Sequence, residues 1–591
     1  MNSFRLAALL ASLGALGSCH CASGVSLKVH VFGQGRIVAG SASCETSCEL
    51  QVGRSTSVVA VPSAGWRFDG WTGLCEGTGR RLVVTTEGNG GGSIAVDGLA
   101  CASPCELVVP VDRPVEVTAI ADDTSRLLGF SGDCVGNACT LGIGSTELAV
   151  TVTFASVLQW ARSFPIPSAE GDNVALYADD GGIYVAVSVR RSMEIDGVLY
   201  TEPYVFRNGS PYFIELAWDA GVQSVLPFYD YVDAGYTRTD VASLTKGPDG
   251  TLFAFGGCFQ GHFLGQPCGA VSSSDGVPFV LEVQDGGVRT GELRVDLQDN
   301  DPVGFLDSHL VGDSLVARVF RHDQYPNGQS GFYVRGRGAD AGVITLAPDM
   351  VSGGATFANN LRECIAEGES LVCVSPVSGV FTGLGCPSSG PAGNLAAYRY
   401  TPSNGACEVT WRMPAGSFAY ALGLARAVSG TLQFIGGGAN APYDFGSGFT
   451  LNGAAWWLGA LDGAAMVALT PSPMPPSQLA RPVAIVAASA GGSLVLAKTG
   501  PTQPGPSGPL FGIPLTANDS AHVLTFTETG QLIRTWPLLG GAANAEEIRN
   551  GTMTRVGDDI VVALMGSGYT FRGQPLAPDL QLRLFVMVFR E

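Results

Sequence analysis

The clearest pattern along the chain is a polar or glycine-rich turn followed by a short apolar strand, and it recurs seven times after residue 156. The first apolar residues of the seven strands are Ile183, Leu252, Leu315, Leu371, Leu432, Leu494 and Ile560, in steps of 56 to 69 residues. Each strand is followed by a second alternating hairpin, with turns such as Asp285-Gly286-Gly287 and Asn404-Gly405. Such turns between alternating runs are strong hairpin signals. A unit of about 60 residues with two hairpins therefore predicts four antiparallel strands.

The two ends of this region complete the pattern. The last unit stops at 585–589 and has no outgoing strand like those that contain Trp411 and Trp536, whereas a matching segment around Trp160 stands alone before the first unit. A strand at 157–164 that completes the last sheet would leave no open edge. We therefore predict a seven-bladed β-propeller over 156–591, closed by strand 157–164. The region resembles the β-propeller repeats of large secreted bacterial lipoproteins.

A different pattern occurs twice before the propeller, in 26–80 and again in 81–155. The first copy has Cys44-x3-Cys48 and then Gly65-Trp-Arg-Phe-Asp-Gly-Trp-Thr-Gly73; the second has Cys101-x3-Cys105 and then Phe130 where the first has Trp71. Alternating strands lie between these landmarks. Both copies resemble the divergent internalin-type B-repeats of bacterial surface and secreted proteins. The resemblance implies two small β-modules that act as stalks or adhesive units.

The amino terminus is typical of a secretion signal. Arg5 precedes an apolar run over 6–16, which is too short to span a bilayer and ends in small residues. Leu16-Gly17-Ser18-Cys19 resembles the lipobox of bacterial lipoproteins, which implies that Cys19 is lipidated and becomes the first residue of the mature protein. We predict a signal peptide over 1–18 and an anchor linker over 19–25. Ordinary secretion, with Cys19 in a disulfide, is the alternative.

The cysteine count agrees with export. The chain has 15 cysteines, so lipidation of Cys19 leaves 14, an even number. An oxidising compartment favours disulfides, although sequence alone does not fix their connectivity. The candidates are the close pairs Cys44/Cys48, Cys101/Cys105, Cys134/Cys139, Cys258/Cys268, Cys364/Cys373 and Cys386/Cys407, with Cys21 and Cys75 left over.

Composition narrows the fold and the partners. Only 14% of residues are charged and 81 are glycine, which favours many short strands and tight turns over amphipathic helices. The fold class is therefore all-β: two small disulfide-bearing repeats and a propeller. The net charge of −19, without a run of basic residues, argues against a nucleic-acid partner.

No catalytic constellation is evident. Gly312-Asp313-Ser314-Leu315 has the letters of the GDSL esterase signature, but it stands at the turn of the third unit and is interpreted as that turn. Asp172, Asp240 and Asp307 precede the apolar strands and are candidates to line the central funnel. No cofactor is predicted and no metal is identified; Asp296, Asp299, Asn300 and Asp301, with Asp307, form an acidic loop that either binds a structural calcium ion or is simply solvated.

These observations favour a non-catalytic, adhesion-type scaffold that binds an unidentified protein or glycan and contacts the membrane only through its lipid. The expected location is the bacterial cell envelope, at the outer membrane or cell surface. Two alternatives remain: a secreted enzyme that acts on polysaccharide with its active site in the funnel, and a purely structural envelope component.

Overall fold

The structure is a computed structural model of the 591-residue chain. It describes residues 2–9, 25–32, 35–39, 42–52, 58–63, 66–73, 79–110, 113–122, 125–144, 147–167, 171–201, 209–227, 238–260, 262–263, 266–267, 277–284, 287–293, 303–321, 329–336, 343–347, 364–377, 394–453, 455–473, 481–489, 491–499, 509–512, 520–541, 551–567, 569–571, 574–575 and 581–591. The chain divides into two compact units, Met1–Val157 and Leu158–Glu591. Every regular element of the described residues is a β-strand, so the predicted all-β class is confirmed.

The first unit contains the two repeats. Its strands are β1 (Asn2–Leu9), β2 (Val25–Phe32), β3 (Gly35–Ala39), β4 (Ala42–Cys44), β5 (Cys48–Val52), β6 (Val58–Pro62), β7 (Trp66–Gly73), β8 (Gly79–Glu87), β9 (Gly92–Val96), β10 (Leu99–Cys101), β11 (Cys105–Pro110), β12 (Val115–Ala121), β13 (Ser125–Gly132), β14 (Cys139–Leu141) and β15 (Leu148–Ser156). The first repeat forms the sheets β5-β2-β1-β7 and β4-β3-β6, and the second forms β11-β8-β15-β13 and β10-β9-β12-β14.

The second repeat has its own hydrophobic core. Alternate residues of β15 are buried, beginning with Leu148 and ending with Ser156, because successive side chains of a strand point to opposite faces. Val150, Val152 and Phe154 of this strand pack with buried residues of the facing sheet, such as Ile94 and Val117. The two sheets of the repeat therefore enclose one apolar layer.

The structure forms four of the disulfides that the sequence pairs suggest. They are Cys44–Cys48, Cys101–Cys105, Cys134–Cys139 and Cys364–Cys373. Cys258 and Cys407 are also disulfide-bonded, while Cys268 and Cys386 lie outside the described residues. Cys19, Cys21 and Cys75 lie outside them as well.

The second unit is a succession of antiparallel sheets. Its strands are β16 (Leu158–Ile166), β17 (Gly171–Asp179), β18 (Gly182–Arg190), β19 (Ser192–Ile195), β20 (Val198–Thr201), β21 (Gly209–Leu216), β22 (Val222–Pro227), β23 (Arg238–Lys246), β24 (Leu252–Gln260), β25 (His262–Phe263), β26 (Gln266–Pro267), β27 (Val277–Gln284), β28 (Gly287–Leu293), β29 (Val303–Val311), β30 (Ser314–Arg321), β31 (Gln329–Gly336), β32 (Val343–Ala347), β33 (Cys364–Glu367), β34 (Ser370–Val377), β35 (Asn394–Thr401), β36 (Ala406–Arg412), β37 (Ala415–Arg426), β38 (Leu432–Gly446), β39 (Phe449–Leu451), β40 (Ala455–Asp462), β41 (Ala465–Pro473), β42 (Arg481–Ala487), β43 (Ser493–Thr499), β44 (Ser520–Phe526), β45 (Leu532–Gly541), β46 (Gly551–Val556), β47 (Asp559–Ser567), β48 (Tyr569–Phe571), β49 (Gln574–Pro575) and β50 (Leu582–Arg590).

Seven sheets, each built around four strands, account for most of the described part of this unit, and the pairs β19-β20 and β25-β26 form two small sheets besides. In chain order, sheets 1 to 7 are β17-β18-β21-β22, β23-β24-β27-β28, β29-β30-β31-β32, β33-β34-β35-β36, β37-β38-β40-β41, β42-β43-β44-β45 and β46-β47-β50-β16. The first strands of sheets 1 to 7 contact one another in this order, and β46 contacts β17. A ring of sheets whose first strands meet at the centre is the architecture of a β-propeller.

The ring is closed between its two ends. β16, the first strand of the unit, pairs antiparallel with β50, the last strand of the chain, from Leu158↔Phe589 to Ile166↔Leu582. Phe164 and Ile166 are buried in one core with residues of sheets 1 and 7. One sheet thus contains strands from both ends of the unit.

The sequence-predicted turns lie between the first two strands of each sheet. In sheet 4, Glu367 pairs with Ser370 across the two-residue turn Gly368-Glu369, and Gly368 has φ +57°. Gly312-Asp313 occupies the same place in sheet 3, with Val311 paired to Ser314. Ser314 therefore lies beside a hairpin turn, as the sequence interpretation expects.

Candidate functional site

The three aspartates that were candidates for the funnel all lie on first strands of adjacent sheets. Asp172 is on β17, Asp240 on β23 and Asp307 on β29. Asp240 is 5% exposed and Asp307 2% exposed, so both carboxyl groups are buried in the ring of sheets. The side chain of Asp172 lies outside the described part of the chain. A buried carboxylate is costly unless it is hydrogen-bonded, so the contacts of these groups matter.

A local irregularity of the first strands places these residues. The pairing register shifts between Gly171 and Val174 in sheet 1, between Val241 and Ser243 in sheet 2, and between Phe305 and Ser308 in sheet 3. A β-bulge of this kind re-aims the side chains that follow it and increases strand twist. Because of the bulge, simple alternation along β29 does not predict which way Asp307 and its neighbours point.

Asp307 connects sheet 3 to sheet 4. Its Oδ2 accepts a hydrogen bond of 3.1 Å from the backbone N–H of Cys364, the first residue of β33. The same oxygen lies 3.4 Å from Nε2 of His309, which is partly exposed. Asp307 Oδ1 has no hydrogen-bond partner among the described residues. The carboxylate therefore binds the backbone of the next sheet and lies beside a partly exposed histidine.

A buried arginine and a buried tyrosine lie in the same two sheets. Arg318 of β30 is 1% exposed, and Tyr398 of β35 is fully buried. Burial raises the pKa of the Tyr398 hydroxyl, whereas the positive charge of Arg318 and a hydrogen bond with Ser375 act to lower it. Ser375 Oγ donates to the Tyr398 hydroxyl over 3.3 Å. We call Asp307, His309, Arg318, Ser375 and Tyr398 the Asp307 cluster.

Serine hydroxyls make the corresponding links between the preceding sheets. Ser243 Oγ of sheet 2 donates to Ser308 Oγ of sheet 3 over 2.9 Å, and both residues are buried. The backbone N–H of Val241 donates to Ser188 Oγ of sheet 1 over 3.3 Å. From sheet 1 to sheet 4, each sheet is thus linked to the next by a buried polar side chain. Such links satisfy polar groups that the ring removes from water.

Ion pairs join neighbouring sheets at the turn end of the first strands. Lys246 Nζ of sheet 2 lies 2.7 Å from Asp179 Oδ2 of sheet 1 and 3.0 Å from the Tyr184 hydroxyl. Burial lowers the pKa of Lys246, but hydrogen bonds to Asp179 and Tyr184 more than offset this, so that its pKa is raised. Arg426 of sheet 5 pairs in the same way with Glu367 of sheet 4, at 2.6 Å.

The sequence did not indicate most of these residues. Asp307 was found because it precedes a repeated strand, but Arg318, Tyr398 and the serine pair are buried strand residues without a local motif. Two signals could have found the cluster: Asp307-x-His309 on a strand predicted to be buried, and an arginine inside the otherwise apolar β30. Asp240 and Asp307 lie on the contacting first strands of sheets 2 and 3.

The other sequence predictions fall partly outside the description. Asp296, Asp299, Asn300 and Asp301 of the acidic loop are not described. Within the described ranges, no group of three or more His, Cys, Asp or Glu side chains is placed to hold a metal ion. No helix in the described part of the chain is long and apolar enough to cross a membrane.

A cavity of about 410 Å³ lies beside the last strand of sheet 4. Its lining includes Trp411, Arg412, Phe445 and Ser447, from β36 and from the hairpin of β38 and β39. Trp411 and Phe445 are buried, so their rings belong to the core of sheets 4 and 5. Burial lowers the pKa of Arg412.

Comparison with known families identifies the first repeat. Residues 33–87 match the family model described as the divergent InlB B-repeat domain. The match confirms the resemblance of the first repeat, and it covers a small part of the chain. No curated protein matches the sequence.

Comparison with solved structures gives distant likenesses of the propeller type. Trypanosoma rangeli sialidase in complex with 2,3-difluorosialic acid is 10% identical with a TM-score of 0.34, over 71% of this chain and 54% of the sialidase chain. The present chain thus spans about half the length of that sialidase. A subtype N10 neuraminidase-like protein of A/little yellow-shouldered bat/Guatemala/060/2010 is 8% identical with a TM-score of 0.31, over 73% of this chain and 98% of that protein. Kuenenia stuttgartiensis hydrazine synthase is 10% identical with a TM-score of 0.34, over 72% and 96%. TM-scores this low support no inference about the activity of the present chain.

Proposed function

We propose that this chain is an exported lipoprotein of the bacterial cell envelope, anchored through Cys19, whose propeller binds a protein or glycan partner without catalysis. The observation that carries the proposal is the combination of a lipobox-like segment at 16–19 with a cystine-bearing B-repeat at 33–87. Disulfides persist in oxidising compartments, and the described part of the chain forms them in both units.

The contacts of the buried polar groups support a binding role over a catalytic one. A general acid or base must reach a substrate proton. The Asp307 carboxylate instead accepts the Cys364 N–H, and the Ser243 and Ser308 hydroxyls bond to each other. These groups hold neighbouring sheets together. A rigid ring of sheets can then present its loops to a partner, since binding residues commonly lie on loops that a rigid scaffold positions.

The anchor is tested by intact mass and fractionation of the mature protein beside a Cys19→Ala variant. We expect the wild-type protein to begin at Cys19, to carry added acyl mass and to fractionate with membranes. The variant should be released, because removal of the thiol removes the lipid attachment point. A soluble wild-type protein, cut at another residue, would overturn the anchor.

The binding role is tested with the released protein on an array of polysaccharides and envelope proteins. We expect retention of a partner without the appearance of new reducing ends. Release of reducing ends at a steady rate would instead establish a polysaccharide hydrolase or lyase and overturn the non-catalytic proposal.

A further inference from the structure

The strands β2 to β7 of the first repeat correspond in order to the strands β8 to β13 of the second. β2 pairs antiparallel with β5, which starts at Cys48, just as β8 pairs antiparallel with β11, which starts at Cys105. β3 pairs with β4 and β6 as β9 pairs with β10 and β12. β7 and β13 follow at the same place in the order. A strand that one repeat has and the other lacks therefore shows where the two modules are built differently.

The repeats differ in the strand that lies between β2 and β7 in the first repeat and between β8 and β13 in the second. In the second repeat β15 lies between β8 and β13, parallel to β8 and antiparallel to β13. In the first repeat the corresponding place, between β2 and β7, is occupied by β1. β1 runs in the opposite direction: antiparallel to β2 and parallel to β7. The place is the same, but its occupant comes from the amino-terminal end of the chain.

Among its described residues, the first repeat has no strand of its own for this place. The described residues between β7 and β9 form one strand, β8, and β8 is an inner strand of the second repeat, between β11 and β15. The family model, however, extends to residue 87, so it assigns β8 to the first repeat. A single strand thus corresponds to both the end of one repeat and the start of the next. In the structure, β8 is part of the sheet of the second repeat.

The occupant of the first repeat belongs to the predicted signal peptide. β1 spans Asn2–Leu9 and lies within 1–18, so cleavage before Cys19 removes it. Neighbouring strands lie about 4.8 Å apart, so its loss leaves β2 and β7 about 10 Å apart with unpaired backbone groups facing each other. This step rests on the proposed function, because it needs the leader to be removed.

We propose that the mature first repeat is a strand acceptor: the position between β2 and β7 binds an extended segment of a partner protein. Strand addition of this kind takes its affinity from main-chain hydrogen bonds and its specificity from alternate side chains. The strands that occupy this position, β1 in the first repeat and β15 in the second, indicate the length and the side-chain pattern of the partner segment. β1 forms pairs with β2 over Arg5–Leu9 and with β7 over Asn2–Ala8, so about eight residues fit.

The pattern of β15 gives the side-chain chemistry of the partner segment. Leu148, Val150, Val152 and Phe154 are buried, and the residues between them are exposed or partly exposed. A partner segment should therefore carry apolar residues at every second position, with small or polar residues between them. Glycan ligands of the propeller do not have this chemistry, so the acceptor adds a protein-binding site to the chain.

The acceptor is tested on a chain that starts at residue 20 and is folded in an oxidising compartment. The probe is a labelled peptide with the sequence of Leu148–Ser156, and the control peptide carries Val150→Lys and Val152→Lys. Without peptide, we expect fast hydrogen exchange at the amides of β2 and β7 that face the vacated position, while the β2 amides bonded to β5 stay protected. The probe should slow that exchange at least about tenfold, because it completes the hydrogen-bond ladder, while the control peptide should not.

A matched protein control is the chain that retains residues 1–19. In this chain β1 already occupies the position, so the probe should bind at least about tenfold more weakly. Slow exchange at the amides of β2 and β7 that face the vacated position, in the shorter chain without peptide, would overturn the proposal. If that chain were monomeric, its own β8 would fill the gap; if it were dimeric, a second copy would. Intact mass of the cellular protein tests leader removal separately, so a failure of the proposed function is distinguishable from a failure of the acceptor.

Discussion

At the scale of single residues, the molecule uses buried polar side chains to fix one sheet against the next. Asp307 binds the Cys364 N–H across the boundary between sheets 3 and 4, and Ser243 binds Ser308 across the boundary between sheets 2 and 3. A hydrogen bond contributes about 1 kcal/mol, but an unpaired buried group costs about 1–3 kcal/mol. These contacts therefore matter more for how the sheets are aligned than for total stability.

His522 supplies a prediction at this scale. It lies on β44, an inner strand of sheet 6, opposite Ala497 and Pro537. Burial lowers its pKa from 6.5 to about 4. The unfolded chain therefore takes up a proton near pH 6.5 while the folded chain does not, so stability falls as the pH drops from about 6.5 to about 4. At about 1.4 kcal/mol per pKa unit, the loss attributable to His522 is about 3 kcal/mol.

The measurement is the free energy of unfolding from denaturant titrations between pH 7 and pH 4, for the wild type and for His522→Gln. Carboxylates titrate in the same range, so the difference between the two curves isolates His522. We expect the variant to lose about 3 kcal/mol less than the wild type over this interval. Parallel curves would show that His522 is protonated in the folded protein as readily as in the unfolded chain.

At the scale of strands and turns, the sequence predicted well what is local. Alternation and Gly-Asp or Gly-Gly turns depend on neighbouring residues, which is why the turn at Gly368 and the interpretation of Ser314 could be reached without a structure. The bulges at Val241–Ser243 and Phe305–Ser308 were not predicted, because a register shift depends on the partner strand. The place of β8 in the sheet of the second repeat likewise depends on its partner strands, β11 and β15.

Gly368 gives the prediction at this scale. Its φ of +57° is in the left-handed region, where a Cβ costs about 1–2 kcal/mol, and no atom lies within 4 Å of an added Cβ. Gly368→Ala should therefore lower the free energy of unfolding by about that amount through backbone strain alone. Gly336→Ala is the matched control: its surroundings are equally open and its φ is not in that region. The control should change stability by less than about 0.5 kcal/mol.

Thermal and denaturant unfolding of the two variants check this. Equal stabilities would mean that the turn at Gly368-Glu369 adjusts to a side chain, and that the repeated glycine at this place has another cause. A larger loss in Gly336→Ala than in Gly368→Ala would contradict the strain argument directly.

At the scale of the whole molecule, the period of about 60 residues was enough to predict a ring of four-stranded sheets, because repetition makes each unit a test of the others. The residues of the site could not be predicted from this period. Arg318 and Tyr398 come from neighbouring sheets, and the sequence of neither strand indicates that the other residue lies nearby. The architecture can therefore be predicted from the sequence repeat. The Asp307 cluster cannot, because its members come together only when neighbouring sheets pack against each other.

Ring closure yields the last prediction. β16 pairs along β50 and buries Phe164 and Ile166 in the core shared by sheets 1 and 7. A chain of residues 168–591 lacks this strand, whereas a chain of residues 158–591 keeps it. The shorter chain loses two buried apolar side chains, about 3–6 kcal/mol, and exposes the long edge of β50, which can pair with another copy. We expect the longer chain to be monomeric and the shorter one to melt at a lower temperature and self-associate, as measured by light scattering after size exclusion. Equal melting temperatures and two monomers would mean that sheet 7 is stable without the strand from the other end, and that closure contributes nothing to the stability of the ring.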